Sequence, residues 1–247
     1  MVIDFIPPIL LIFFCSHSIA LISVDLFEWN ELSCGTNDAY FPLMSVKEYG
    51  YFVHVFHPSK IRESIILEWG SGGSTNYLAW YSRKLLSIEN SAYHCEKIMR
   101  MNATKCNISK NKLVMVCLNE VELYSFGTSN NVDDVIAKKF RSYVEVPTKY
   151  LNSVEGRYNR PDIIFVDGRF RVACILQGAL LIRGLEFSPQ AGFIVVHDYM
   201  NRPHYHVVEK YLVVYAYVES LAVLILKSVV DWESLKQDLD FSLSIQS

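Results

Sequence analysis

Two acidic residues flank the part of the sequence that is best suited to binding a ligand. Glu68 ends one apolar run and Glu89 ends the next. Between them lies a turn that is poor in side chains, made of Gly70, Ser71, Gly72, Gly73, Ser74 and Thr75. Glycines permit positive φ and let a ligand approach the backbone closely. A carboxylate at Glu89 can accept both ribose hydroxyls of a nucleoside. We therefore predict a nucleotide- or nucleoside-binding turn.

A second group of polar residues follows later apolar runs. Asp167 comes directly after IIFV, and His197 and Asp198 come directly after FIVV. Imidazole and carboxylate groups are common general bases that take a proton from an acceptor. We predict that His197, Asp198 and Asp167 are catalytic. Arg169 and Arg171 follow Asp167 closely and are predicted to hold an anionic group of the substrate.

Structural roles compete with these chemical ones. Asp167 and Gly168 can simply cap the following helix, and His197 can be a hydrogen-bonded core residue. His204 and His206 lie two positions apart on the next predicted helix, so they cannot share a face. At most one of them points into the site, and we assign His204 to substrate binding.

Apolar runs alternate with helical spacings along the chain and predict the elements that position these residues. The predicted strands are 64–69, 84–90, 112–119, 161–168 and 192–199, followed by a hairpin over 213–227 that turns at Glu219-Ser220. The predicted helices are 44–56, 75–83, 91–102, 131–144, 171–184 and 202–212. Such alternation forms a parallel sheet that is covered on both faces. We predict an α/β fold, a Rossmann-like, doubly wound, mainly parallel seven-stranded sheet with a C-terminal antiparallel hairpin.

The N-terminal segment differs in composition from the rest of the chain. Residues 5–24 are largely apolar and contain Ser18-Ile19-Ala20, which fits a signal-peptide cleavage site. The stretch is also just long enough to span a bilayer. A buried N-terminal element is the third alternative, since the segment carries Asp4 and Pro7-Pro8 but no Lys or Arg.

These features divide the chain into four parts. We assign residues 1–24 to a signal peptide or membrane anchor and 25–60 to an N-terminal cap. Residues 61–230 form the α/β domain, and 231–247 form a C-terminal tail. The corresponding location is the secretory pathway or a membrane, with the cytoplasm as the alternative.

Cysteines and glycosylation sequons bear on the same question. Removing a signal segment that contains Cys15 leaves an odd number of cysteines, which argues against a complete disulfide framework. Cys117 and Cys174 lie in apolar runs and are predicted to be core thiols, whereas Cys95 and Cys106 can pair in an oxidising compartment. Two sequons, Asn102-Ala-Thr and Asn107-Ile-Ser, are compatible with a secretory route.

Overall composition limits the partners. Hydrophobic residues make up 51% and charged residues 20% of the 247 residues, so one domain can bury a sizeable core. The net charge of −3 and the pI near 6.2 do not provide the basic surface that nucleic-acid binding requires. We expect a small-molecule substrate, no nucleic acid, and membrane contact only through residues 5–24. Composition does not indicate the oligomeric state.

Two cofactors compete for the glycine turn. The dinucleotide fingerprint G-x-G-x-x-G fails, because Thr75 stands where the third glycine belongs. A phosphate-binding P-loop fails too, because no Gly-Lys-Ser/Thr follows. Glu68 stands two places before the first glycine, where it would repel a pyrophosphate but can face a cationic sulfonium. These residues favour S-adenosylmethionine over NAD.

Four segments of the chain carry a family resemblance. LEWGSGGST, SIEN, PDIIFVDGRFRVACILQ and VVHDYMNRPHYHVVEKYL resemble a family of class I S-adenosylmethionine-dependent methyltransferase-like proteins. The resemblance covers roughly residues 62–227 and implies both the class I fold and S-adenosylmethionine as cofactor. Ser74 departs from the family motif E-x-G-x-G-x-G, whose last glycine it replaces. The resemblance implies no particular acceptor.

Asp167 and Asp198 also resemble the metal-binding pair of catechol and caffeoyl-coenzyme A type O-methyltransferases. In those enzymes a divalent ion orients and acidifies a substrate hydroxyl. Tyr199 replaces the usual Asn and Phe170 replaces the catalytic Lys, so a metal at Asp167 and Asp198 is not favoured.

The function expected from these residues and resemblances is methyl transfer to oxygen or nitrogen of a small molecule. A non-catalytic, methyltransferase-like binding module of the secretory pathway or membrane is the alternative. A nicotinamide-dependent oxidoreductase is the third hypothesis.

Overall fold

The computed structural model describes residues 43–118, 134–153, 160–183 and 192–244. Its helices are α1 (Val46–Val55), α2 (Pro58–Ile61), α3 (Gly73–Tyr81), α4 (Ala92–Arg100), α5 (Asn102–Ser109), α6 (Asp134–Leu151), α7 (Arg171–Ile182) and α8 (Trp232–Ser244). Its strands are β1 (Ile65–Trp69), β2 (Lys84–Glu89), β3 (Leu113–Cys117), β4 (Ile163–Val166), β5 (Phe193–Val196), β6 (Leu212–Val218) and β7 (Leu221–Leu226). A 3₁₀ helix, Pro203–Lys210, lies between β5 and β6.

The seven strands form one sheet in the order β3-β2-β1-β4-β5-β7-β6. The first five strands are parallel, and β7 runs antiparallel to both of its neighbours. The strand order reverses between β1 and β4, where open α/β sheets bind ligands beyond the carboxyl ends of the strands. The predicted fold, including the C-terminal hairpin, is confirmed.

Helices cover both faces of this sheet. Successive strand residues point to opposite faces, so Ile66 packs with residues of α1 and α3, whereas Leu67 and Trp69 pack with residues of α6, α7 and α8. β1 is buried along its whole length, as a strand covered on both faces should be. Glu68, which follows Leu67, points to the α3 side.

Three elements differ from the sequence-based expectation. The helix predicted over 202–212 is the 3₁₀ helix, whose buried Tyr205 and Val208 are three residues apart and so match its period. The helix predicted over 91–102 ends at Arg100, and α5 follows Met101. Residues 231–247, assigned to a tail, contain α8, which packs three leucines into the core: Leu235, Leu239 and Leu243.

The cysteines pair differently from the expectation. Cys95 in α4 and Cys117 at the end of β3 form a disulfide, with Cα atoms 5.9 Å apart. The expectation of a Cys95–Cys106 pair and of a core thiol at Cys117 is therefore wrong. β3 is an edge strand that is only partly buried after Leu113, so its apolar sequence does not place Cys117 in the core. Cys174 is a buried free thiol, as predicted.

Within the described residues, no helix combines the length and the apolar character of a membrane span. Residues 5–24, on which the signal-peptide and anchor predictions rest, lie outside the described ranges. The described part of the N-terminal cap consists of α1, close to the predicted 44–56, and the short α2.

Candidate functional site

Glu68 lies at the carboxyl end of β1, where three hydroxyl groups enclose it. Its Oε1 accepts from Ser74 Oγ at 2.5 Å, and its Oε2 accepts from Thr75 Oγ1 at 2.7 Å and from Ser87 Oγ at 2.5 Å. Ser74 and Thr75 belong to the first turn of α3, and Ser87 is the β2 partner of Glu68 in the strand register. The Glu68 carboxylate therefore links the start of α3 to β1 and β2.

The environment of Glu68 changes its acid–base behaviour. Complete burial raises the pKa of Glu68 to about 7, even though the three hydroxyl donors favour the charged form. The negative charge of Asp167 raises that pKa further. Three hydroxyl donors and complete burial enclose the Glu68 carboxylate, and its predicted contact with a sulfonium stays a prediction.

The glycines of the turn have different surroundings. Gly70 has φ of 96°, and a Cβ there would lie 2.7 Å from the carbonyl carbon of Asp167. Gly70 thus allows the turns after β1 and β4 to touch. Gly72 is extended, and among the described residues a Cβ there would meet nothing within 4 Å. Gly72 is therefore the glycine beside open space, while Gly73 begins α3.

Glu89 ends β2 and is linked to the glycine turn. Its Oε1 accepts from the Ser91 amide at 2.7 Å, and the backbone amides of Asn90 and Ser71 also stabilise its charge. Burial outweighs these donors and raises the pKa of Glu89, whereas the nearby charge of Arg169 opposes the rise. Arg169 is exposed, and its charge acts on Glu89.

A second cluster is formed at the ends of β4 and β5, where Arg171 joins two carboxylates. Its Nη2 donates to Asp167 Oδ1 at 3.2 Å, and its Nη1 donates to Asp198 Oδ2 at 3.1 Å. The same guanidinium donates to the backbone carbonyls of Gly168 and His197. Arg171 is mostly buried, so it acts as an internal bridge between the two strand ends.

His197 is held between carboxylates from three parts of the chain. Its Nδ1 lies 2.9 Å from Asp167 Oδ1, and its Nε2 lies 3.6 Å from Glu48 Oε2 and 3.9 Å from Asp198 Oδ1. An ionised carboxylate only accepts hydrogen bonds, so Nδ1 carries the proton toward Asp167. Nε2 is then the ring atom that can take a proton from an acceptor.

Glu48 is the member of the cluster that sequence reasoning missed. Its Oε2 accepts from the Ser45 amide at 3.0 Å, and its Oε1 accepts from the Ser220 amide at 2.9 Å and from the Ser220 hydroxyl. Ser45 and Glu48 form a capping box at the start of α1, a pattern visible in the sequence. That pattern indicates a helix start; it carries no sign that Glu48 reaches His197.

The pKa values of the two groups move in opposite directions. Burial opposes ionisation of Glu48, but hydrogen bonds from Ser220 and Ser45 outweigh it and lower its pKa to about 2. Burial lowers the pKa of His197, but the hydrogen bond and charge of Asp167, with the charge of Asp198, produce a net rise. A charged carboxylate therefore faces an imidazole that readily holds a proton.

These groups border a cleft of about 550 Å³ beside the β6–β7 turn. Its walls include Glu48, His197, Asp198 and Glu219. A space of this size fits a small molecule, and His197 is one of the residues that line it.

His204, the remaining predicted site residue, lies with His206 on the 3₁₀ helix after β5. His204 is exposed and its ring packs edge-on against Tyr205. His206 stacks on Tyr199, with its Nε2 3.3 Å from the Tyr199 carbonyl oxygen. The 3₁₀ helix turns the two histidines away from each other, in keeping with their expected separation on different faces.

Asp167 and Asp198 do not form the open carboxylate pair that a divalent ion needs. The guanidinium of Arg171 bridges them, and Arg202 Nη2 approaches Asp198 Oδ2 at 3.6 Å. Among the residues that the structure describes, no three His, Cys, Asp or Glu side chains are grouped to hold a metal. The donor set therefore does not fit a metal bound between Asp167 and Asp198.

Comparison with known proteins shows similarity at the level of structure. Neither a protein-family model nor a curated protein matches the chain. A methyltransferase-like protein from Silicibacter pomeroyi is 20% identical, with a TM-score of 0.53, and the match covers 84% of this chain and 98% of that one.

Two further solved structures are more distant. An O-methyltransferase from Bacillus cereus, solved in complex with SAH, is 16% identical with a TM-score of 0.43, covering 76% of this chain and 84% of that one. A protein from Streptococcus pneumoniae described as a tRNA (m1A22) methyltransferase is 10% identical with a TM-score of 0.38, covering 75% and 74%. The strand order and the match to the Silicibacter protein together show that the chain has the class I methyltransferase fold.

Proposed function

We propose that the chain is an S-adenosylmethionine-dependent methyltransferase that acts on oxygen or nitrogen of a small molecule. The observation that carries the proposal is the arrangement of two sites along one edge of the sheet. The open Gly72 follows β1 and Glu89 ends β2, while Asp167 follows β4 and His197 follows β5. Binding of a nucleoside cofactor and proton removal from an acceptor require such neighbouring sites.

The residues of the glycine turn fit a nucleoside cofactor. Gly72 leaves the turn open, and Glu89, bound to the turn through the Ser71 amide, presents a carboxylate that can accept ribose hydroxyls. When bound, the cofactor supplies an electrophilic methyl group. The hydroxyls around Glu68 hold the turn in place, so Ser74 compensates by hydrogen bonding for the motif glycine that it replaces.

His197 is the proposed general base. In its neutral form Nε2 takes the proton of the acceptor while Nδ1 remains hydrogen-bonded to Asp167. The resulting imidazolium is stabilised by Asp167 and by the carboxylates of Glu48 and Asp198 at 3.6 and 3.9 Å from Nε2. Arg171 positions Asp167 and Asp198 and is not available to hold an anionic group of a substrate, contrary to expectation.

Calorimetry of the full chain with S-adenosylmethionine and S-adenosylhomocysteine tests the cofactor assignment. We expect both to bind, and Gly72→Val to abolish the heat of binding because its side chain occupies the open space. Gly50→Ala is the control, since a Cβ at Gly50 in α1 also meets nothing within 4 Å in the part of the chain that the structure describes. Absence of heat with folded wild-type protein would show that the cofactor assignment is wrong.

A second candidate is a methyltransferase-like module that binds without catalysis. The observation that favours it is the enclosed Glu68, whose charge is neutralised in part and is not presented to a ligand. Cofactor binding without methyl transfer to a panel of small phenols, carboxylic acids and amines would support this candidate. Transfer to any of them would exclude it.

A further inference from the structure

The two glycosylation sequons of the chain lie on the same short helix in different environments. Asn102-Ala103-Thr104 begins α5, and Asn107-Ile108-Ser109 ends it. Sequence alone treats the two asparagines as equivalent acceptors of a glycan. The fold separates them, because α5 packs one side against α3 and leaves the other toward solvent.

Asn107 lies in the interface between α5 and α3. It is 1% exposed, and its Nδ2 donates to Asn76 Oδ1 of α3 at 3.4 Å. The atom that would carry a sugar is therefore turned into the protein. A glycan at this position would force α5 off α3 and expose the apolar surface beneath it.

Asn102 has the opposite placement. It is exposed at the first residue of α5, at the end of the helix where a bulky substituent can extend into solvent. The third residue of its sequon, Thr104, is fully buried and donates to Asn76 Oδ1 at 3.1 Å. This hydrogen bond holds α5 against α3. A glycan at Asn102 is compatible with this packing.

We propose that Asn102 is an N-glycosylation site and that Asn107 stays unmodified in the folded protein. The donor is a lipid-diphosphate-linked oligosaccharide of the secretory lumen. A bond forms between C1 of the sugar and Nδ2 of Asn102, the bond between C1 and the diphosphate breaks, and the Nδ2 proton passes to a base of the transferase. The Cys95–Cys117 disulfide, which joins α4 to β3 beside α5, is the independent feature that fits an oxidising lumen.

Expression of the full chain in secretory eukaryotic cells tests the proposal by electrophoresis with and without an amidase that releases N-glycans. We expect one glycosidase-sensitive mobility shift in the wild type and its loss in Asn102→Gln. Ser109→Ala is the matched control, since it removes the Asn107 sequon at an exposed residue and should keep the shift. Because the amidase converts a glycosylated Asn to Asp, mass spectrometry of the wild type also locates the site without any variant.

Each result decides the proposal. The proposal is supported if the amidase converts Asn102 alone to Asp and if the mobility shift is lost only in Asn102→Gln. A wild-type chain without a shift, a conversion at Asn107, or a reduced shift in Ser109→Ala would overturn it. The outcome is independent of cofactor binding, which calorimetry measures separately.

Discussion

Glu68 combines complete burial with a side chain that can ionise near neutral pH. In water a glutamate is charged above its ordinary pKa of 4.5, but burial raises the pKa of Glu68 to about 7 in the folded chain. A folded state that holds a proton more tightly than the unfolded state is stabilised at low pH. The stabilisation is complete below pH 4.5 and is lost as the pH rises through about 7.

We therefore predict that Glu68→Gln changes how stability depends on pH. As the pH rises from 4.5 to 7.5, ionisation of Glu68 should lower the free energy of unfolding of the wild type by on the order of 3 kcal/mol. The glutamine variant stays neutral and lacks this contribution, so its stability relative to wild type should increase with pH. Urea denaturation at several pH values between 4.5 and 7.5 measures the difference.

The comparison isolates Glu68 from its neighbours. His197 and Glu89 also have raised pKa values and contribute in the same direction, but they do so in both proteins. Glu233→Gln is the control, because Glu233 is exposed on α8 and pairs only with Lys236 in the described contacts, at 2.8 Å. Equal pH slopes for Glu68→Gln and wild type would contradict the raised pKa.

Residue-level chemistry was predictable where it depends on position along a strand, and not where it depends on contacts across the fold. The strand-end places of Glu68, Glu89 and Asp167 follow from local apolar runs. The hydroxyl of Ser87 reaches Glu68 only through the β1–β2 register. Glu48 meets Ser220 across most of the chain, a contact that no local pattern indicates.

At the scale of elements, the β1 turn, the β4 turn and α6 meet in a closely packed junction near the site. A Cβ on Gly168 would overlap the buried hydroxyl of Tyr143 in α6 and lie 2.9 Å from the Gly70 amide nitrogen. Overpacking of a rigid junction costs about 1–3 kcal/mol, and backbone neighbours cannot move aside as a flexible side chain can. We predict that Gly168→Ala lowers the free energy of unfolding by at least about 2 kcal/mol.

The glycine turn after β1 contains the control for this prediction. Gly72→Ala places its Cβ in open space with an extended backbone, so its free energy of unfolding should stay within about 0.5 kcal/mol of wild type. Thermal or urea denaturation of both variants gives the comparison. Equal destabilisation by Gly168→Ala and Gly72→Ala would contradict the prediction, because the loss in free energy of unfolding would then not depend on the contact with Tyr143.

Helices and strands were predictable from the sequence where burial of one face imposes a regular spacing of apolar residues. The five parallel strands and the hairpin follow from short apolar runs and a break at Glu219-Ser220. α8 was missed, although Leu235, Leu239 and Leu243 recur every four residues, because the intervening charges resemble a solvated tail. The sequence does not distinguish the 3₁₀ helix from an α-helix, because Pro203 suits the first turn of either.

At the scale of the whole molecule, the Cys95–Cys117 disulfide bears on its compartment. Sequence reasoning placed residues 1–24 in a signal peptide or anchor, a prediction that stays open because these residues lie outside the described ranges. We propose a secretory location on the basis of the Cys95–Cys117 disulfide, since such bonds persist in oxidising compartments and are rare in the cytosol.

The disulfide also ties an edge of the sheet to the helix that follows β2, so its loss should loosen that edge. It closes a loop with a sequence separation of 22, for which chain entropy predicts a contribution of about 3 kcal/mol to the free energy of unfolding. Replacement of Cys95 and Cys117 together by alanine should remove that contribution, as measured by urea denaturation without reductant. Replacement of Cys95 alone leaves a free thiol at Cys117 and should show a similar loss. Peptide mapping of the unreduced wild type should find Cys95 linked to Cys117, whereas a link from Cys95 to Cys106 would contradict the assigned pairing and with it this prediction.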